Sequence, residues 1–119
     1  MEKQNLIADK TFSFALLIID VCKQLNQQKE FDIKRQLFRS GTSIGANIQE
    51  AIGAASSRDF VAKMNIALKE ARETKYWLSL INRSSHFTLD VADLVFEIDS
   101  IVRMLSAIVK TSKSKLAKT

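Results

Sequence analysis

The chain contains no proline, and its only glycines, Gly41, Gly45 and Gly53, fall within one short stretch. Tight turns and hairpins draw on these two residue types, one for its fixed φ and the other for its freedom at positive φ. A chain of 119 residues so poor in both cannot reverse direction often. Long helices joined by a few polar connectors are what remain. The length fits one domain with a real, though not large, core. The balance of 46% hydrophobic and 26% charged residues is that of an ordinary globular protein.

Apolar spacing divides the chain into four helical segments, at about 5–28, 32–55, 57–83 and 89–111. Asp32 is expected to cap the second. Ser56, with Asp59 three residues on, approximates a capping box for the third, and Thr88 is expected to cap the fourth. The basic tail, 112–119, is predicted to fray. In the second segment Leu37, Gly41, Ile44, Ile48, Ala51 and Ala55 alternate spacings of four and three. Phe60, Met64, Ala67, Ala71, Thr74 and Leu78 repeat this in the third, and Val91, Leu94, Ile98, Ile101, Leu105 and Ile108 in the fourth. These are the seams of packed helices. The prediction is an all-α, antiparallel up-down-up-down four-helix bundle with short connectors.

Two features do not suit an isolated bundle. The first is TSIGANIQEA (42–51), where Gly45, with Gly41 one turn before it, lies inside a helix at roughly 1 kcal/mol each. Glycine there lowers the side-chain wall so that another helix can come close. The polar border of Gln36, Ser40, Ser43, Asn47 and Glu50 is then expected to fix one register and one assembly. The second is an excess of apolar surface. Helix one carries Phe14, Leu17, Val21 and Leu25 on one side, and Phe12, Ala15, Leu16 and Ile19 largely on the other. Only a wedge around Ser13, Asp20 and Gln24 is polar. Helix three carries Ile66, Trp77 and Leu80 nearly opposite its Met64 and Leu68 seam. Helices apolar on two sides are buried on two sides, so a homo-oligomer held mainly through helices one and three is expected. Glu70 and Glu73 lie beside this second stripe and need a partner such as an arginine, a lysine, Asn47 or a neighbouring subunit.

SGTSIGANIQEA (40–51), followed by SSRDFVAKMNIALKEARETKYWLSLI (56–81), resembles the bacterial four helix bundle proteins, also called the 23S rRNA-intervening sequence protein family. The resemblance covers nearly the whole chain and is strongest over 38–81. Its motif positions here are Ser43, Ile44, Asn47, Glu50 and Ala51, then Ala67, Glu70, Glu73, Tyr76, Trp77 and Leu78. The resemblance implies a four-helix bundle assembled as a ring-like homopentamer, with no enzymatic activity and no cofactor. Some members are encoded within inserts of ribosomal RNA genes. A related branch serves diversity-generating retroelements, binding nucleic acid and a reverse transcriptase.

For function, the net charge of +5 permits nucleic acid as a partner. Lys69, Arg72 and Arg83 form one basic strip with Tyr76 among them, and Arg35 and Arg39 form another. Lys110, Lys113, Lys115 and Lys118 fill the tail without an acidic residue. Cations neutralise phosphates and an aromatic ring can stack on a base. A scaffold for a protein partner, such as a reverse transcriptase, is the alternative. A carboxylate-bridged metal site at Glu50, Glu70 and Glu73 is a remote one, because the Glu-x-x-His pairs of di-iron bundles are absent and His86, the only histidine, sits in a connector. GTSIGAN lacks the Gly-Lys-Ser/Thr of a phosphate-binding loop. Cys22 lies in an apolar run and is assigned to packing. The run from Phe12 to Leu25 is too short and too polar at Asp20 to span a bilayer, and the opening residues are not those of a signal peptide. A cytoplasmic protein is expected.

Overall fold

The computed structural model describes residues 2–118, with side chains from Leu6 onward. It consists of four helices: α1 (Glu2–Gln27), α2 (Phe31–Ile52), α3 (Ser57–Arg83) and α4 (Ala92–Ala117). There is no strand among the described residues. Consecutive helices pack side by side, most extensively α2 on α3, and α1 closes against α4 most loosely. The result is a rod of 51 × 22 × 22 Å, the antiparallel four-helix bundle expected from the seams.

The helix ends show where local chemistry decides and where it is overruled. Ser56 caps α3 as expected, its Oγ accepting from the Asp59 amide at 3.0 Å. It does so from an extended backbone, φ −149° and ψ 163°; α2 has already ended at Ile52, with Gly53 at its cap position, rather than at Ala55. Asp32 is not the cap of α2. That helix starts one residue before it, with Glu30 at the cap position and no side-chain bond to the helix. The Glu30 carboxylate instead meets His86 Nε2 at 2.7 Å, tying together the two connectors at that end of the rod. Asp32 sits in the first turn, where its charge suits the helix dipole, and pairs with Arg35 at 2.5 Å. Lys29 ends α1 by taking the left-handed conformation, φ 63°. Its amide and that of Glu30 return to the Asn26 and Leu25 carbonyls at 3.0 and 2.9 Å, the paired bonds of a Schellman ending.

The fourth helix departs most from expectation. Thr88 does not cap it; Asp90 Oδ1 accepts from the Ala92 amide at 3.1 Å, and the helix starts at Ala92. Residues 84–91 are recruited to the core instead: Val91 is buried, and Phe87 and Leu89 pack against the core cluster. Alternate residues pointing inward require an extended connector, so the helix starts late. At its other end α4 runs on to Ala117, through the tail expected to fray. Nothing in the stretch breaks a helix, and its lysines complement the negative end of the dipole. Thr119 lies outside the described residues.

The core follows the predicted seams with small phase corrections. Leu17 is 48% exposed, and Ile18 takes the central place on α1. On α4 Val109 is buried while Ile108 is half-buried, and Ala55 lies beyond the end of α2. Cys22 is buried, with its thiol 3.7 Å from the Lys34 carbonyl. Burial pushes that thiol up to about 11, far from the thiolate form that reactivity needs. Two buried hydroxyls satisfy themselves within their own helices, Thr11 on the Ile7 carbonyl and Thr74 on the Glu70 carbonyl, each at 2.8 Å.

Gly41 is required by the packing of α1 on α2. A Cβ at this position would stand 2.9 Å from both Cγ1 and Cγ2 of Ile18. Ile18 is branched at Cβ and has little rotamer freedom in a helix, so it cannot step aside. A Cβ at Gly45 would meet Thr11 at 3.4 Å, an ordinary contact. Gly41→Ala therefore gains about 1 kcal/mol of helix propensity but meets an overpacking cost of about 1–3 kcal/mol, a net loss. Gly45→Ala is expected to keep most of its gain, about 1 kcal/mol. Urea unfolding of the two variants at one protein concentration should move in opposite directions.

Candidate assembly and nucleic-acid surfaces

The outer groove between α2 and α3 carries a connected polar cluster. Arg39 on α2 reaches across to α3, with Nη1 at 3.3 Å from Glu70 and Nη2 at 2.6 Å from Glu73. Glu73 Oε2 also accepts from Trp77 Nε1 at 3.0 Å. Trp77 then meets Tyr76 edge-to-face, with ring centroids 5.1 Å apart. The spacing of Glu73 and Trp77, one turn apart, makes their bond local to the helix. The Trp77 donor, desolvation-opposed and reinforced by Arg39, holds the Glu73 carboxyl below its usual range; the carboxylates in turn raise Arg39. Arg39 is half-exposed, so solvent screens the pairing and its contribution to stability is about 1 kcal/mol or less. Arg39 bridges α2 to α3 and, through Glu73, is linked to the Trp77 indole.

The polar border of α2 lies beside this cluster. Ser43 Oγ donates to the Arg39 carbonyl at 2.5 Å and Asn47 Nδ2 to the Ser43 carbonyl at 2.8 Å. Glu50 pairs with Lys63 at 3.2 Å, and Gln36 is exposed. Ser40 is fully buried, and its hydroxyl has no hydrogen-bond partner among the described residues. Within one chain the border thus bonds to its own helix and to α3. The three glutamates do not converge, since Glu50 is held by Lys63 and the other two by Arg39. Among the described residues no group of three or more His, Cys, Asp and Glu side chains is arranged to hold a metal ion. His86 is bonded to Glu30 and stacks edgewise on Phe87.

The basic candidates divide into paired and unpaired sets. Arg35 is paired with Asp32, and Arg39 with Glu70 and Glu73. Lys75 and Arg103 share Asp99. By contrast Lys69, Arg72 and Arg83 are exposed on α3 and make no ion pair among the described residues, and Tyr76 stands between them, 57% exposed. Arg58, not among the candidates above, continues this strip toward the start of α3; it is exposed and makes no ion pair among the described residues. Its helical spacing from Lys69 and Arg72 is the signal that identifies it. Lys110, Lys113, Lys115 and Lys118 are exposed along the last turns of α4, and three of them line a shallow depression with Thr111 and Ser114.

Exposed apolar residues are concentrated on α1. Phe12 is 65% exposed, and Leu16 and Ile19 follow it on the same flank. Phe38 is exposed on α2, one turn from Gly41 and two from Gly45, which face α1. Leu6 and Leu17 lie on the other flank of α1, and Phe96 on α4 is 73% exposed. On α3, Ile66 and Leu80 are exposed, whereas Trp77 packs partly against the core. The second apolar face expected of α1 is therefore open to solvent in the single chain, and that of α3 is open in part. No helix among the described residues is long and apolar enough to cross a membrane.

The model of the 23S rRNA-intervening sequence protein family matches residues 3–107. The chain belongs to this family. A solved structure of a protein with unknown function from the S23 ribosomal protein family, from Bacteroides thetaiotaomicron VPI-5482, is similar at 46% identity and a TM-score of 0.84. The similarity covers 91% of this chain and 98% of that one. No significant match was found among curated proteins. The family match includes the Arg39–Glu73–Trp77 cluster and the α3 strip, and the four tail lysines lie beyond it.

The depressed Glu73 carboxyl gives a pH signature. Its ionised form stabilises the fold above its ordinary value of 4.5, and that stability is lost as pH falls through the lower folded value. Trp77→Phe removes the largest cause of the depression. Between about pH 3 and pH 6 the variant should lose less stability on acidification than the parent, measured by urea midpoints.

Proposed function

We propose that this protein is a non-catalytic, self-associating helical bundle that binds nucleic acid through the phosphate backbone. The observation that carries this reading is the α3 strip: Arg58, Lys69, Arg72 and Arg83 are exposed and unneutralised, while Arg35, Arg39, Lys75 and Arg103 spend their charge on carboxylates of the same chain. Free cations along one line can displace the counterions of a polyanion. The tail lysines add a second such site. Self-association supports the reading by multiplying the strips, because linked weak sites bind as one strong one. The exposed flanks of α1, with Phe38 and Phe96, are the surfaces proposed to be covered by further copies. They are unlike patches, suited to the head-to-tail contacts from which closed rings are built. The ring of five implied by the family resemblance is the form we propose.

The same apolar surfaces favour one alternative, a protein partner such as a reverse transcriptase, which co-purification from the native host would identify.

Light scattering should find a particle several times the 13.4 kDa of one chain, and Phe12→Glu should reduce it toward a folded single chain. A parent protein that is already solitary at micromolar concentration would refute the assembly. For binding, fluorescence anisotropy with labelled RNA and DNA should show affinity falling steeply with salt. The pair Lys69→Glu and Arg72→Glu should weaken binding about tenfold or more and flatten the salt slope by about two. Binding that ignores salt, or that survives the charge reversals unchanged, would exclude the strip.

A further inference from the structure

We infer that the α3 strip selects unpaired nucleic acid over duplex, with Tyr76 as the residue on which an unstacked base lies. The inference rests on the nucleic-acid reading above and specifies its ligand. Lys69, Tyr76 and Arg83 follow one another at seven-residue intervals, close to two helical turns, so they form a nearly straight line. Each cation stands about 10 Å along the axis from the ring. Arg72 flanks the ring one turn away. A flexible strand laid along this line would place phosphates at the cations and a base at the ring. Cations that track a backbone, with an aromatic platform between them, are the arrangement by which single strands are held without regard to sequence.

The ring is prepared for this use. Tyr76 is the most exposed side chain among the larger apolar and aromatic residues of α3. It is braced edgewise by Trp77, which is bonded to Glu73, which is held by Arg39 from α2. Among the described residues no hydrogen bond ties up the Tyr76 hydroxyl, and Trp77 is the one aromatic ring that meets its own. A platform whose orientation is fixed beforehand loses little freedom when a base arrives.

A duplex cannot use the site in the same way. Its bases are already stacked, and in A-form RNA the major groove is too deep and narrow for side chains to read. α3 is flanked by α2 and α4 in a rod 22 Å across, too broad for that narrow groove. Duplex could touch only the cations, leaving Tyr76 unused.

The test uses the full chain and two fluorescent probes of equal phosphate number, a single-stranded oligouridylate and an RNA duplex, at low salt. The parent should bind the single strand about tenfold or more tightly than the duplex. Tyr76→Ala should lower single-strand affinity about tenfold and leave duplex affinity unchanged, while Tyr76→Phe, which keeps the ring, should bind as the parent does. Circular dichroism confirms that each variant is folded, as expected for a change at an exposed position. Equal binding of the two probes, or no loss in Tyr76→Ala, overturns the stacking role while leaving electrostatic binding in place. Failure of the parent to bind either probe overturns the nucleic-acid reading itself.

Discussion

The contact between Gly41 and Ile18 sets how α1 lies on α2, and much else depends on it. Because the glycine has no Cβ, the isoleucine can bury its whole side chain against the backbone of α2. The two helices come close along one flank, and Thr11 meets Gly45 farther along. That phase turns Phe14, Ile18, Val21 and Leu25 inward. It also turns Phe12, Leu16 and Ile19 out to solvent. The open apolar flank is therefore a consequence of how the core is filled. A helix with apolar residues on most of its circumference can hide only one sector inside a four-helix bundle, and the phase of its closest contact decides which.

The division of charge follows from the same packing. Where α2 meets α3, Arg39 falls opposite Glu70 and Glu73 and is neutralised. Where α3 meets α4, Lys75 falls opposite Asp99. The outward sector of α3 has no neighbour, and its cations keep their charge. A bundle with modest net charge thus presents one concentrated basic line, which overall composition does not show. Tyr76 lies on this line, and its bracing by Trp77 links it to the cluster that joins α2 to α3.

Much of this was legible in the chain. The absence of proline, the confinement of glycine and three alternating seams gave the four helices and their order. The start of α3 near residue 57 is legible because Ser56 and Asp59 complete a local device that needs nothing from the rest of the fold. Asp32 and Thr88 look like caps in the sequence but are not, for the opposite reason: Glu30 bonds a distant histidine, and Phe87, Leu89 and Val91 are drawn into the core. Propensity cannot anticipate a partner far away in sequence. Among the site candidates, Glu70 and Glu73 are seen to need a partner of some kind, but that Arg39 supplies it depends on the α2–α3 register.

The sequence by itself determined the number of helices, the residues available to the core and the surplus of apolar surface, because periodicity and composition are properties of each segment alone. The tertiary structure decided which arginines and lysines are spent on carboxylates, which apolar flank stays open, and why Gly41 must be glycine. These depend on the rotation and offset of one helix against the next. Many side-chain contacts far apart in the chain set that relation together, and no local stretch records it.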